Sequence, residues 1–180
     1  MLVTAFHVIN KSTIKEKNDI KIIIYNGNKE FYINMNEDKR IIAYDDEKDI
    51  IGIEIKEEDN IKNNVNFLNY DINCTKENYE KYLEKDVFIL HHPKCRDLEC
   101  NSGKIVAFED GRDYEFHHNL DTDMGSSGAP ILLFENKDEG PKVIGIHKCY
   151  PSGQNSFKTN IGNFIGILIE LIDKVNKKIE

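Results

Sequence analysis

Residues 123–130 read DMGSSGAP and run directly into the apolar stretch ILLF at 131–134. Gly125 and Gly128 bracket Ser127, and glycines at this spacing favour a sharp turn with backbone angles that other residues rarely adopt. Such a turn exposes the serine hydroxyl and directs successive backbone N–H groups at one point. Acyl transfer needs this arrangement, because the nucleophile must lie beside donors that stabilise a developing oxyanion. A flexible turn in a β-hairpin is the alternative interpretation.

On both sides of this turn, short segments rich in Ile, Val, Tyr and Phe alternate with Asn, Asp and Gly, which predicts many short strands. We expect strands at 21–25, 31–35, 41–44, 51–55, 87–90, 104–108, 114–116, 130–134 and 143–146. Ile51, Ile53 and Ile55 alternate with small or polar residues, as in a half-buried strand. Apolar residues at three- and four-residue steps then predict an amphipathic helix at about 164–178, which packs on the β core or docks a partner.

Composition limits the classes of function. The chain has 180 residues, enough for one domain or one compact two-lobed unit. It has 24 Lys and Arg and 32 Asp and Glu, which give a net charge of −8, and charges of both signs are interspersed along the sequence. This distribution disfavours nucleic acid and anionic membranes as partners. The longest apolar-rich run, 164–172, is too short to span a bilayer. The opening MLVTAFHVIN lacks the features of a signal peptide, which favours a cytoplasmic location.

Four segments, in this order along the chain, resemble the trypsin/chymotrypsin-like serine peptidases. Residues 2–9 (LVTAFHVI) are similar to that family's histidine segment, and 49–55 (DIIGIEI) to its aspartate segment. Residues 125–130 (GSSGAP) are similar to its Gly-x-Ser-Gly-x-Pro signature, and 143–147 (VIGIH) to the strand that lines the substrate cleft. The order His, Asp, Ser disfavours the subtilisin and α/β-hydrolase folds. In style the motifs are closest to bacterial-type, glutamyl endopeptidase-like members.

This resemblance implies a mainly β chain of two antiparallel β-barrels with a C-terminal α-helix. We expect an N-terminal lobe at 1–75, a linker at 76–86 and a C-terminal lobe at 87–180. Family members carry further strands before the histidine segment, so we expect the N-terminal barrel to be incomplete. Either the protein starts upstream of this sequence or the domain is a reduced one.

The resemblance also implies a catalytic triad of His7, Asp49 and Ser127, with the N–H groups of Gly125 and Ser127 as the oxyanion hole. Ser127 attacks the scissile carbonyl, His7 takes and returns its proton, and Asp49 orients His7. Two other aspartates, at 45 and 46, compete for this last role. We prefer Asp49 because it directly precedes the alternating strand.

Three residues are candidates for substrate binding. By resemblance to glutamyl endopeptidases, Thr122 and His147 would contact an acidic side chain, and a histidine that can carry positive charge is a sensible partner for a carboxylate. Asp121 instead would favour Lys or Arg, and Cys149 falls where a glycine often admits substrate. Ser126 replaces the Asp that pairs with a newly cut N-terminus in digestive members, so we expect no such activation step.

The remaining histidines and cysteines allow weaker hypotheses. The stretch HHPKCRDLEC at 91–100 suggests zinc, but adjacent histidines point to opposite faces of a strand, so we expect no metal and no cofactor. Cys95 and Cys100 are either free thiols or a local disulfide. His117 or His118 is a candidate to buttress the expected pocket.

The sequence thus predicts a serine endopeptidase that acts on protein or peptide substrates through an acyl-enzyme. The alternative is a catalytically impaired protease-like module that binds a protein partner. A zinc-dependent binding protein is the third hypothesis.

Overall fold

The structure, a computed structural model, describes residues 1–16, 19–24, 29–35, 40–109, 111–135, 139–149 and 159–179. Over these ranges the chain is mainly β, as predicted, and its strands form two lobes. Residue 25, at the end of the first expected strand, lies outside the described residues. No helix within these ranges is both long and apolar enough to cross a membrane.

The N-terminal lobe consists of a small sheet and a separate hairpin, with a short helix between them. Its elements are β1 (Leu2–Thr4), α1 (Lys11–Glu16), β2 (Asp19–Ile24), β3 (Lys29–Asn34), β4 (Ile42–Asp45) and β5 (Ile50–Ile53). The antiparallel sheet has the order β1-β5-β4, and β2 pairs only with β3 among the described residues. Ile33 of the hairpin and Ile51 and Ile53 of the sheet share one apolar core. No closed barrel forms here within the described ranges, in agreement with the incomplete barrel that we expected.

The C-terminal lobe is a closed barrel. Its strands are β6 (Asn69–Tyr70), β7 (Asp86–His91), β8 (Glu99–Glu109), β9 (Arg112–His118), β10 (Pro130–Leu133), β11 (Lys142–Cys149) and β12 (Asn160–Phe164). Six antiparallel strands follow the order β10-β7-β8-β9-β12-β11, and pairing of β10 with β11 closes the ring. The short strand β6 lies parallel to β11 outside this ring.

Phe116 fills the barrel interior because its neighbours are glycines. An ideal Cβ would lie 2.9 Å from the Phe116 ring at Gly145 and 2.6 Å from it at Gly162. Phe116 also packs against Phe164, at 4.6 Å between ring centroids, and neither ring is exposed to solvent. The core of this lobe therefore depends on glycines in β11 and β12.

The C-terminal helix α2 (Gly166–Ile179) packs against β4 and β5, which confirms the predicted helix and joins the two lobes. Leu168 lies directly on Gly52, where a Cβ would be 2.9 Å from its Cδ1. All four residues of β5 are consequently buried. The alternation at 51–55 predicted a half-buried strand, and this was wrong because α2 covers the second face.

The segment between the lobes packs with the C-terminal barrel. Residues 76–82 form a 3-10 helix, and Tyr79 stacks on Phe164 at 4.0 Å between centroids. Tyr82 donates a hydrogen bond to Oδ2 of Asp71 at 2.7 Å, and both side chains are buried. The linker at 76–86 and the lobe limits that we expected remain predictions.

Candidate active site

His7 and Asp49 form a hydrogen-bonded pair in the N-terminal lobe. Thr4 at the end of β1 pairs with Ile51 in β5, so the residues after β1 lie beside those before β5. The backbone N–H of His7 donates to Oδ1 of Asp49 at 2.8 Å, and ring Nδ1 lies 2.8 Å from Oδ2. Asp49 has a φ of 51°, in the left-handed region, which places its carboxylate under His7.

This pairing selects one tautomer of the imidazole. A carboxylate only accepts hydrogen bonds, so Nδ1 of His7 carries the hydrogen and Nε2 keeps a free lone pair. The His7 side chain is 48% exposed and that of Asp49 only 14%. The free nitrogen of His7 belongs to a half-exposed side chain and can therefore act as a base towards a molecule that reaches it from solvent.

The turn around Ser127 lies between the two lobes. Gly125 and Gly128 have φ values of 92° and 83°, as the glycine spacing predicted. A Cβ on Gly128 would overlap Oγ1 of Thr4, so this turn packs against the end of β1, three residues before His7. On the other side, the Gly128 N–H donates to the carbonyl of His147 in β11 at 2.8 Å.

The Ser127 hydroxyl donates to the carbonyl of Lys148 at 3.3 Å and not to His7. Among the described residues, no acceptor takes the N–H of Gly125 or of Ser127. These two donors are thus free to bind an oxygen outside the protein, which is what an oxyanion hole requires. The turn that carries Gly125 and Ser127 packs against the end of β1, which leads to His7, but among the described residues no hydrogen bond joins His7 to Ser127. The assignment of these residues to one catalytic site remains a prediction.

His147 contacts a second buried histidine. Nε2 of His118 lies 3.2 Å from Nδ1 of His147, and His118 and His147 are 0% and 3% exposed. Burial, reinforced by the neighbouring histidines, lowers the pKa of His118 to about 3 and that of His147 to about 4. Both rings are therefore neutral at pH 7. Of the two candidates in β9, His118 contacts His147, whereas His117 contacts Oγ1 of Thr159 at 2.9 Å.

Thr122 and Asp121 line a different cavity from the one that we expected. This polar pocket of about 140 Å³ lies between the serine loop and the β7–β8 connection, and its lining includes His91, Asn101 and Glu99. His147 and Ser127 are not part of its lining. Of the three expected substrate-binding residues, this pocket therefore includes Thr122 and Asp121 but not His147, and the roles of all three remain predictions.

The histidines and cysteines at 91–100 do not converge on one site, because the two histidines contact different parts of the protein. His91 contacts Oγ of Ser126 at 2.7 Å, whereas His92 contacts the carbonyl of Arg96 at 2.9 Å. Within the described ranges, no three His, Cys, Asp or Glu side chains could hold a metal ion. Cys95 and Cys100 are exposed free thiols. Sequence reasoning missed the contact of His91 with the serine loop, and no local pattern signals it.

Comparison with known proteins supports the fold. Neither a protein-family model nor a curated protein matches this sequence. Among solved structures, the chain is similar to the serine endoprotease from Yersinia pestis, with a TM-score of 0.66 and 16% identity over 97% of this chain and 53% of that one. It is also similar to the HtrA-type protease AlgW with a decapeptide, with a TM-score of 0.61 and 14% identity over 97% of this chain and 48% of that one.

A third similar structure is Rv3671c from M. tuberculosis H37Rv in an inactive form, with a TM-score of 0.57 and 16% identity over 97% of this chain and 76% of that one. The chain spans about half the length of the first two neighbours. Sequence identity to all three neighbours is only 14–16%, so the likeness concerns the fold alone. The closed six-stranded barrel, the C-terminal helix and the similarity to these structures together show that the chain has the fold of the trypsin-like serine proteases.

Proposed function

We propose that this protein is a serine endopeptidase with His7, Asp49 and Ser127 as its catalytic triad. The observation that carries the proposal is the double hydrogen bond of Asp49 to His7, with the bonds at 2.8 Å, which leaves the lone pair of Nε2 free in the cleft. The glycine-framed turn that bears Ser127 lies against the strand that leads to His7. The folds of the neighbours, which are named as proteases, agree with this activity.

In this mechanism, rotation about the Cα–Cβ bond of Ser127 moves its hydroxyl from the Lys148 carbonyl towards His7. Oγ attacks the scissile carbonyl carbon while Nε2 of His7 takes the hydroxyl proton. The N–H groups of Gly125 and Ser127 donate to the resulting oxyanion. His7 then protonates the leaving amine as the C–N bond breaks, and water hydrolyses the acyl-enzyme by the same route.

Peptides and proteins are the proposed substrates, and we propose a preference for an acidic residue before the scissile bond. If Nε2 of His118 donates to Nδ1 of His147, then Nε2 of His147 carries a hydrogen even in the neutral ring. No described residue bonds to this Nε2, so it is available to donate to a substrate carboxylate. Bound carboxylate would in turn favour the protonated form of His147.

Labelling with a fluorophosphonate probe tests the catalytic proposal. Wild type should be labelled, and Ser127→Ala should not be, with hydrolysis lower by on the order of 10⁴-fold or more, as in chymotrypsin-type enzymes. Ser102→Ala is the matched control, because Ser102 is an exposed serine on β8 and its loss should leave labelling unchanged. Absence of labelling in folded wild type would contradict the proposal.

Paired peptides that differ only in Glu, Gln or Lys before the scissile bond test the preference. We expect cleavage after Glu to exceed cleavage after Gln by at least about 10-fold in kcat/KM, because Gln lacks the charge. Replacement of His118 by Gln should reduce this ratio. Cleavage mainly after Lys, Arg or large apolar residues would rule out the acidic preference and, for Lys or Arg, would favour a role for Asp121.

A protein-binding module without catalysis is the second candidate. The observation that favours it is the hydrogen bond of the Ser127 hydroxyl to Lys148, which leaves the nucleophile unpaired with its base. On this hypothesis, a peptide ligand binds equally well to wild type and Ser127→Ala, and neither protein is labelled by the probe.

A further inference from the structure

The residue that directly precedes Ser127 makes a short buried contact with a histidine of β7. Oγ of Ser126 lies 2.7 Å from Nδ1 of His91, and the two residues are 0% and 3% exposed. The residues are 35 positions apart, so this contact fixes the serine loop against the barrel wall. A buried polar contact of this kind is costly to break, because either partner would remain unsatisfied.

Ser126 also holds both sides of its own loop. Its Oγ accepts the N–H of Asp123 at 3.1 Å, and its backbone N–H donates to the Asp123 carbonyl at 3.0 Å. Its carbonyl accepts the N–H of Ala129 at 3.0 Å. The segment 123–129, which includes Gly125 and Ser127, therefore bends around Ser126 as its fixed point.

A third residue sets the direction of these hydrogen bonds. Nδ2 of Asn101 in β8 donates to the carbonyl of Asp121 at 3.1 Å and lies 3.0 Å from Nε2 of His91. With one amide hydrogen given to Asp121 and the other to His91, Nε2 of His91 accepts and Nδ1 must donate to Ser126. Burial lowers the pKa of His91, while Glu99 and Asp121 act in the opposite direction, and the neutral ring suits this arrangement.

The β7–β8 connection supports the same loop from outside. The N–H of Lys94 donates to the carbonyl of Met124 at 2.6 Å, and its Nζ pairs with Asp123 at 2.8 Å. Gly125 approaches the connection so closely that a Cβ would lie 3.0 Å from the His92 carbonyl. The direction of the Gly125 N–H thus depends on contacts with residues that follow His91.

We propose that His91 is a positioning residue that, through Ser126, aims the N–H groups of Gly125 and Ser127 at the developing oxyanion. This inference rests on the proposed function, since it assigns those N–H groups to catalysis. In this role His91 acts through Ser126 and not on the reacting atoms. It holds the loop in the conformation in which both donors point into the cleft.

Ser126→Ala and His91→Gln test the proposal, because each removes or displaces one side of the contact with little change in volume. Tyr82→Phe is the matched control: it removes a buried hydrogen bond of the same 2.7 Å length in the same lobe, to Asp71, away from the serine loop. We expect kcat to fall by roughly 10- to 100-fold in both loop variants, with KM within about twofold, because misplaced donors weaken transition-state binding. The control should retain wild-type kcat.

Hydrogen exchange of peptides that cover 121–129 gives a readout independent of activity. Exchange should accelerate in Ser126→Ala and His91→Gln but not in Tyr82→Phe. Unchanged exchange and unchanged kcat in the loop variants would overturn the inference while wild-type labelling still supported the peptidase. Unlabelled wild type would instead overturn the proposed function, and loop exchange would still decide whether His91 holds the loop.

Discussion

Asp49 accepts two hydrogen bonds from the same residue, one from the backbone N–H of His7 and one from its ring, both at 2.8 Å. The contact spans 42 residues of sequence and depends on the pairing of β1 with β5. Asp49 has a φ of 51°, in the left-handed region that residues other than glycine adopt less often. The pair is therefore a product of the whole N-terminal sheet and not of a short motif.

Replacement of Asp49 by Asn should abolish the proposed peptidase activity without unfolding the protein. An Asn amide that donates towards Nδ1 would favour the wrong tautomer of His7, and the corresponding change in a chymotrypsin-like enzyme lowers kcat by about 10⁴-fold. We expect a loss of this order in kcat for peptide hydrolysis, with an unchanged circular dichroism spectrum. Asp46→Asn is the control, since Asp46 is exposed in the same turn, and an equal loss there would contradict the role of Asp49.

Gly128→Ala should be far more damaging than Gly140→Ala. Both glycines have positive φ, 83° and 71°, so both substitutions carry the strain of a left-handed alanine, roughly 1–2 kcal/mol. At Gly140 a Cβ meets nothing within 4 Å, whereas at Gly128 it overlaps the Thr4 side chain. Urea denaturation should therefore show a larger loss of stability for Gly128→Ala, together with loss of probe labelling. Equal effects of the two substitutions would mean that the serine turn does not pack tightly on β1.

A buried ion pair joins Arg40 and Asp59 in the N-terminal lobe. Nη1 and Nη2 of Arg40 each lie 2.7 Å from an oxygen of Asp59, and both side chains are less than 5% exposed, at 4% and 3%. Burial alone would raise the pKa of Asp59, but hydrogen bonds from Arg40 and from the Lys56 N–H lower it below its usual value. Asp59→Asn should reduce the free energy of unfolding by roughly 3–5 kcal/mol, because it leaves a buried charge unpaired.

The exposed pair of Lys21 and Glu30 offers the comparison for this experiment. Its atoms are as close, at 2.6 Å, but its side chains are 44% and 47% exposed. Lys21→Met should therefore leave the urea midpoint nearly unchanged. If both substitutions have the same small effect, the Arg40–Asp59 pair does not stabilise the lobe.

Local sequence patterns were sufficient for the features that depend on short stretches of chain. The glycines around Ser127 predicted its turn, and the Ile, Leu and Val spacing predicted α2. The strand β12, NIGNF, was not predicted, because its Gly162 and Asn163 are unfavourable for a strand on propensity alone. Gly162 is needed there to make room for Phe116, a contact that only the closed barrel creates.

The same distinction applies to the site. His7 and Ser127 were predicted from motifs, whereas the contact of His91 with Ser126 joins strand β7 to a loop 35 residues further along the chain, and no local pattern encodes it. The choice of His118 over His117 likewise depends on which of the two rings reaches His147 once the barrel has formed. The role of a side chain that acts through long-range contacts cannot be predicted from local sequence, because those contacts exist only in the folded barrel.

The His118–His147 pair predicts how stability depends on pH. In the folded protein the pKa of His118 is about 3 and that of His147 about 4, and both lie below the ordinary histidine value of 6.5. Between these values the unfolded chain binds more protons than the folded one, so stability is complete above pH 6.5 and is lost as pH falls towards 4 and then 3. Each histidine should contribute a slope of about 1.4 kcal/mol per pH unit in that window.

His118→Leu should remove one of the two contributions, so that the free energy of unfolding falls less steeply below pH 6.5 than in wild type. Urea denaturation at intervals between pH 7 and pH 4.5 measures this slope, and it stays above the range in which carboxylates such as Asp59 take up protons. His92→Leu serves as the comparison, because His92 is only partly buried and lies outside the pair. A slope in His118→Leu as steep as in wild type would show that burial does not lower the pKa of His118 in the folded protein.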